Sequence, residues 1–148
     1  MLDKPARYHG LESYYTCLYL AAAEHEVDHE SMVRQAAERL RQRERRRDRA
    51  REDRRARAQA WAREIAGVLA EADHSVRKIV GFGSTFETWR AFRLDSDIDL
   101  GVLGGDWSRL TAAVSPSDFD VSIVELELQN QEFTDYVLEH CVVLYEKS

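Results

Sequence analysis

The sequence predicts an α/β (α+β) fold: a small mixed β-sheet of about four strands with helices packed on it, preceded by a long helical extension. Two observations predict this architecture. Short apolar runs bounded by Gly, Pro, Ser and Asp alternate with helical segments over residues 58–148. Residues 31–72 are instead dominated by Ala, Arg, Glu, Gln and Leu, which favour a long helix. We therefore expect a helical extension over 1–57 and a compact domain over 58–148.

Composition and charge limit the classes of protein to consider. The chain has 148 residues, a net charge of −6 and two cysteines, Cys17 and Cys141, which is too few for a disulfide framework. No apolar run approaches the roughly 20 residues of a membrane span, and the first ten residues lack the pattern of a signal peptide. These features exclude a membrane protein and indicate a reduced, cytoplasmic setting.

The N-terminal extension divides into an apolar part and a basic part. Leu11–Ala23 is apolar and rich in tyrosine, and predicts a helix over 11–25 that packs on the domain, a second copy or a partner. Residues 34–57 hold twelve Arg and five acids, a local charge of +7. We interpret this segment as a solvated helix, with homo- or hetero-oligomer assembly as the alternative. Nucleic-acid contact is not favoured, because the run contains no aromatic residue.

A match to H-E-x-x-H, His25 to His29, suggests a zinc protease. Asp28 places a charge between the two histidines, and the following forty residues offer no convincing third ligand. An exposed polar helix is the better interpretation.

The segment 58–148 shows the regular alternation of an α/β domain. Trp61, Ile65, Val68, Leu69 and Ala72 recur at helical spacing and predict a stripe facing the core. The predicted elements that follow are a strand over 77–82, a short helix over 85–91, a strand over 97–103, a helix from 106, a strand over 119–125, a helix over 130–139 and a strand over 142–145.

Two motifs in this domain carry chemistry. Gly83-Ser84 forms a small-residue turn after the first strand, where backbone N–H groups can bind phosphate. Asp97 and Asp99 begin the second strand, and alternation along a strand places both carboxylates on one face. Two adjacent carboxylates repel each other unless a cation lies between them, and oxygen ligands suit Mg²⁺. The pair therefore predicts a metal-nucleotide site.

Asp120 is the candidate for a third carboxylate. It lies in the predicted third strand, on the face of Ser122 and opposite Phe119, Val121 and Ile123. If that strand pairs with the Asp97–Asp99 strand, three acids converge and can hold two Mg²⁺ ions. Asp118 is the weaker candidate because it follows Pro116 closely.

The order Gly83-Ser84, then Asp97-Ile98-Asp99, then Asp120 resembles the DNA polymerase beta-like nucleotidyltransferase superfamily, and most of all its minimal nucleotidyltransferases, the MNT proteins. The resemblance covers residues 58–148. It implies a nucleotidyltransferase-like fold in which Gly83 and Ser84 bind the phosphates of ATP or another nucleoside triphosphate. Asp97, Asp99 and Asp120 would be catalytic and would hold Mg²⁺. AMP would pass to a hydroxyl of a HEPN-type partner, as in antitoxins of toxin–antitoxin pairs.

This chain departs from the family pattern in three ways. Glu87-Thr88-Trp89 stands where a glycine is usual, the interval from Ser84 to Asp97 is longer, and that from Asp99 to Asp120 is shorter. These departures put the shape of the nucleotide pocket in question. Two alternative functions stay open: a non-catalytic module that neutralises a partner by contact, and an aminoglycoside-type transferase acting on a small molecule.

Overall fold

The computed structural model describes residues 28–148 of the chain. The predicted helix over 11–25 and residues 25–27 of the H-E-x-x-H match lie outside the described residues. Residues 46–148 form one compact unit. The helices are α1 (His29–Ala72), α2 (Trp107–Ala113) and α3 (Gln131–His140), and the strands are β1 (Lys78–Phe82), β2 (Ile98–Leu103), β3 (Val121–Glu125) and β4 (Val142–Glu146).

The four strands form one mixed sheet in the order β3-β2-β1-β4. β1 runs antiparallel to both β2 and β4, whereas β2 and β3 are parallel. The connection from β2 to β3 carries α2, as a parallel crossover requires. The predicted mixed sheet with helices packed on it is thereby confirmed. Within residues 28–148, no helix combines the length and the hydrophobicity needed to cross a bilayer.

The buried face of α1 packs against one face of the sheet. Its buried residues are Ala58, Ala62, Ile65, Ala66 and Leu69, and they join a core with β1, β2 and α2. Alanine at three of these positions lets the helix approach the strands closely. The prediction for Val68 was wrong, since its side chain is 47% exposed.

The other face of the sheet is covered by the C-terminal part of the chain. Val80 and Phe82 of β1 pack with Leu126 and with Val137 of α3. Ile79 belongs to the first core instead, so successive residues of β1 are buried on opposite faces. This explains the uninterrupted apolar character of β1.

The predicted helix over 85–91 was wrong. Gly83–Thr85 form a single 3₁₀ turn, and the chain then runs through turns and irregular backbone to β2. The Gly83 carbonyl accepts from the amides of Phe86 and Glu87, at 3.0 and 2.8 Å. The Glu87 side chain folds back and accepts from the Gly83 amide, which closes the turn.

Asp73 joins the end of α1 to the start of α2. One oxygen of its carboxylate accepts from the Ser75 amide and hydroxyl, at 2.9 and 2.6 Å. The other accepts from the Asp106 amide at 2.9 Å. These hydrogen bonds, led by the Ser75 hydroxyl, lower the pKa of Asp73 from 3.8 to about 2. Arg109 lies 3.7 Å away and adds a smaller contribution.

We expect Asp73→Asn to lower the melting temperature by several degrees at pH 7. The folded-state pKa lies below the unfolded one, so the stabilisation is complete above pH 3.8 and is lost as the pH falls through about 2. The difference between wild type and variant should therefore shrink in acid, which thermal melts from pH 7 to pH 2 can measure. Asp53→Asn, at an exposed position of α1, is the control. A pH-independent difference would contradict the linkage to Asp73.

Candidate functional site

The two aspartates lie where β2 begins. Asp99 is the second residue of β2, and Asp97 immediately precedes the strand. The Ile98 side chain is fully buried in the core below, so the flanking carboxylates project from the opposite face. Asp97 is exposed and Asp99 is half-buried. The strand thus presents two carboxylates together, one of them partly removed from water.

Burial, first of all, raises the pKa of the Asp99 carboxyl above its ordinary value. The charge of Asp97 raises it further, and that of Glu87 adds to the effect, whereas the Arg90 guanidinium opposes it. A carboxylate in this environment is stabilised by a nearby cation. The site therefore favours binding of positive charge next to Asp99.

Gly83 lies directly against Asp99. Its φ of +70° is in the left-handed region, where residues other than glycine are strained. A Cβ atom at this position would collide with Oδ2 of Asp99. Glycine is required for both reasons, and it brings the turn backbone into contact with the carboxylate pair. Ser84, the next residue, is half-buried.

The Gly83 amide is bonded to a residue that the sequence analysis did not identify as part of the site. It donates to Glu87 Oε1 at 3.0 Å, and the Glu87 side chain is fully buried. Glu87 Oε2 accepts from the Tyr136 hydroxyl and from Arg90 Nε, both at 3.0 Å. The sequence did contain a signal for Glu87: it is an acid in a segment rich in aromatic residues, and Arg90 follows three residues later.

Arg55 of α1 holds the same loop from the other side. Its guanidinium donates to the Ser84 carbonyl from Nε and Nη2, at 3.1 and 2.8 Å, and to the Arg90 carbonyl at 2.8 Å. The Gln59 side chain donates to the Thr85 carbonyl at 2.8 Å. Arg55 lies in the segment that we interpreted as a solvated extension, yet it fixes both ends of the loop 84–90.

Asp120 precedes β3 by one residue and is exposed. Its carbonyl accepts from the Ile98 amide at 2.8 Å, and β3 pairs with β2 so that Ser122 lies beside Asp99. Continuing this register by one position places Asp120 beside Asp97. Asp120 also lines a cavity of about 560 Å³ along β3 and α2. Sequence reasoning did not single out Ser122 as the neighbour of Asp99.

The described residues do not complete a cluster of three metal ligands. Across 28–148, no three His, Cys, Asp or Glu side chains lie together in an arrangement that could hold a metal ion. Asp97 and Asp99 form a pair, and Asp120 lies just before the neighbouring strand, β3. The loop before it is anchored by Arg54, which donates to the Asp118 carbonyl at 2.9 Å and stacks on the Phe119 ring.

Solved structures with similar folds include two that are described as toxin–antitoxin systems. A mutant of the complex MntA-HpeT has 23% identity and a TM-score of 0.46, and a toxin–antitoxin with AMP-PNP has 24% and 0.47. Each match covers 57% of this chain and 72% of the other. A candidate nucleotidyltransferase of Sulfolobus solfataricus has 15% identity and a TM-score of 0.45, over 64% of this chain and 86% of that one.

At these identities the similarity concerns the fold alone. No protein-family model matches the sequence, and no curated protein matches it either.

Proposed function

We propose that this chain is a metal-dependent nucleotidyltransferase that transfers a nucleoside monophosphate, AMP from ATP in the first instance, to a hydroxyl group with release of pyrophosphate. The observation that carries the proposal is the contact between a left-handed glycine, Gly83, and the Asp99 carboxylate of β2. Ser84 follows Gly83 in the same turn, and Asp97, just before β2, flanks the buried Ile98 on the same side as Asp99. The closeness of this turn to Asp99 supports a role for the turn in phosphate binding and for the carboxylates in cation binding.

The carboxylates fit a divalent cation by charge, ligand type and burial. Asp97 and Asp99 would hold Mg²⁺, with Asp120 as the further ligand or the base. When bound, Mg²⁺ neutralises the phosphate charge and lowers the pKa of a coordinated hydroxyl group. The chain itself positions the reactants: the triphosphate lies against the turn of Gly83 and Ser84, and the acceptor lies on the Asp120 side.

Transfer is a single in-line displacement. The acceptor oxygen loses its proton to Asp120 and forms a bond to the α-phosphorus, while the bond from that phosphorus to the bridging oxygen breaks and pyrophosphate leaves. Most of the rate enhancement in such reactions comes from positioning and charge neutralisation rather than from covalent catalysis.

We propose a protein as the acceptor, and a toxin–antitoxin pair as the setting, with this chain as the antitoxin and a HEPN-type protein as its partner. Residues 46–148 form one small unit, so the domain has little material for a separate acceptor pocket. The cavity beside Asp120 is open enough for a side chain of a partner protein to enter. A small aminoglycoside-type acceptor remains the alternative, since a cavity of about 560 Å³ is within the range of small-molecule pockets.

A second candidate function is contact-only neutralisation of a partner, without transfer. Two observations favour it: the Gly83 amide is already bonded to Glu87, and the described residues lack a cluster of three metal ligands. This alternative predicts that substitutions of Asp97 and Asp99 leave protection by the protein unchanged.

A transfer assay separates the two candidates. The full chain is purified with whatever partner accompanies it in its native host, and is incubated with α-³²P-labelled ATP and Mg²⁺. We expect label on the partner and a gain in its intact mass equal to one or more AMP groups. Asp97→Asn should abolish the label, whereas Asp53→Asn, on the exposed face of α1, should leave it unchanged. Absence of label with the wild-type protein, or equal label with Asp97→Asn, would refute the proposed transfer.

A further inference from the structure

A buried ionic network connects the glycine turn to α3. Glu87 is completely buried, yet its carboxylate has a donor on every side: the Gly83 amide, the Tyr136 hydroxyl and Arg90 Nε. A buried carboxylate with three such partners is held in one orientation. Arg90, which binds this carboxylate through Nε, is therefore held in place as well.

Arg90 is fixed at three points but keeps half of its side chain in solvent. Its amide donates to the Glu87 carbonyl at 3.0 Å, its carbonyl accepts from Arg55, and its Nε donates to the Glu87 carboxylate. The side chain is nevertheless 54% exposed. Because Nε makes the contact with Glu87, the two terminal nitrogens remain to bind an anion, and a guanidinium can bind phosphate through two parallel hydrogen bonds.

A polyphosphate can bind beside the Gly83 turn only if a positively charged group lies there. Asp97, Asp99 and Glu87 surround the turn with negative charge, which repels a polyphosphate. The Gly83 amide, which could otherwise donate to phosphate, is bonded to Glu87. Between Gly83 and Asp97 the sequence has two cations, and one of them, Arg93, pairs with Asp95 at 3.1 Å. Arg55 contacts the turn through carbonyl oxygens that already occupy its Nε and Nη2, whereas Arg90 reaches the turn through the Glu87 carboxylate, which also accepts from the Gly83 amide.

We propose that Arg90 binds the β- and γ-phosphates of the nucleoside triphosphate, and that Glu87 is the positioning residue that aims Arg90 at them. This inference rests on the proposed function, since it assigns residues to the same nucleotide site. It also gives a role to Glu87, which lies in the segment Glu87-Thr88-Trp89. The carboxylate of Glu87 accepts from the Gly83 amide and holds the turn closed. Because that amide is not free to donate to phosphate, Arg90 supplies the anion-binding group.

Direct binding tests the role of Arg90. The full chain is dialysed at equilibrium against labelled α,β-methylene ATP, which cannot undergo transfer, and separately against labelled AMP, both with Mg²⁺. Arg90→Ala should weaken binding of the triphosphate by about 10-fold to 100-fold. AMP lacks the β- and γ-phosphates, so its binding should change by less than about 2-fold. Arg93→Ala is the matched control in the same loop and should bind both nucleotides as the wild type does.

Arg90→Lys is a second variant, which tests the same role if the Arg90→Ala protein does not fold. It keeps a cation beside Glu87 but lacks the planar donor pair, and we expect it to lose about 10-fold in triphosphate binding. Unchanged triphosphate binding in a folded Arg90 variant, or equal losses for triphosphate and AMP, would overturn the role of Arg90.

A double-mutant cycle tests the role of Glu87. Glu87→Gln keeps the shape and an acceptor for the Gly83 amide but removes the charge that holds Arg90. If Glu87 acts through Arg90, this change should weaken triphosphate binding in the wild-type background and have almost no further effect in Arg90→Ala, where no cation remains for Glu87 to hold. Additive losses, or equal losses for AMP, would show that Glu87 only supports the fold.

The binding experiment and the transfer experiment can refute the two proposals independently. Triphosphate binding that depends on Arg90, without transfer to any partner, would refute the proposed transfer and leave this inference standing. Transfer by a protein whose Arg90 variants bind triphosphate normally would refute the inference and leave the proposed function standing.

Discussion

Replacing Asp99 with asparagine should reduce nucleotide transfer by at least about 100-fold and, in the same protein, raise the melting temperature measured without Mg²⁺ at pH 7. The loss is expected because Asp99 is half-buried against the Gly83 turn and would be a cation ligand there. The gain is expected because burial and the Asp97 charge make the ionised Asp99 unfavourable in the folded state. Asparagine has nearly the same shape and removes that unfavourable charge.

The gain in stability should depend on pH in a definite direction. Burial raises the folded-state pKa of Asp99 above its unfolded value of 3.8, so the folded protein binds the proton more tightly. Stability of the wild type therefore falls as the pH rises through the raised pKa, whereas the asparagine variant has no such dependence at this position. Below pH 3.8 both side chains are neutral, and the two melting temperatures should converge.

Added Mg²⁺ provides a second readout that does not need an acceptor. A ligand that binds only the folded state raises the melting temperature, so Mg²⁺ should stabilise the wild type and have less effect on Asp99→Asn. Asp95→Asn is the control, because Asp95 is an exposed residue that pairs with the exposed Arg93. It should change neither transfer nor the response to Mg²⁺. A variant at Asp99 that loses stability at pH 7, or keeps its transfer rate, would contradict our account of the site.

The parts of the site that were predictable from the sequence follow from strand geometry. Alternation along a strand places Asp97 and Asp99 on one face wherever the strand goes, and the buried Ile98 between them fixes which face that is. The short apolar run before the glycine turn similarly predicted the first strand, over 77–82, and β1 spans Lys78–Phe82. Both features depend on local sequence alone.

The loop between Gly83 and β2 could not be predicted in the same way. A helix over 85–91 was expected because the residues permit one, but the chain leaves the 3₁₀ turn after Thr85, and the Glu87 side chain is bonded to the Gly83 amide. That bond is stable because Tyr136, about fifty residues later in the chain, closes over the same carboxylate. Contacts between distant residues of this kind leave no periodicity in the sequence.

Arg55 was missed for a different reason, and here the sequence did contain a signal. The buried stripe of α1 runs back from Leu69 through Ile65, Ala62 and Ala58, and one further turn reaches Arg54 and Arg55. The high density of arginine hid the two that face the domain. A truncation designed at residue 58 would remove both, whereas residues 46–148 retain them within one compact unit.

Arg55→Lys should therefore behave as a severe substitution, although it conserves charge. The guanidinium donates three hydrogen bonds to two carbonyls, those of Ser84 and Arg90, and a lysine ammonium cannot match this fixed geometry. We expect a loss of about 1–2 kcal/mol in the free energy of unfolding, from denaturant titration, since charge-assisted bonds to half-buried carbonyls are lost. The apparent KM for the triphosphate should rise by about 10-fold because Ser84 and Arg90 lose their common anchor.

Arg57→Lys is the matched control, two residues along the same helix at an exposed position. It should leave the free energy of unfolding and the KM unchanged, because a solvated arginine and a solvated lysine are nearly equivalent. If Arg55→Lys and Arg57→Lys behave alike, the loop 84–90 does not depend on α1. If only Arg55→Lys raises the KM, one arginine of a basic run acts as the structural support of a nucleotide-binding loop. The remaining exposed arginines of the basic run are then not required to support this loop.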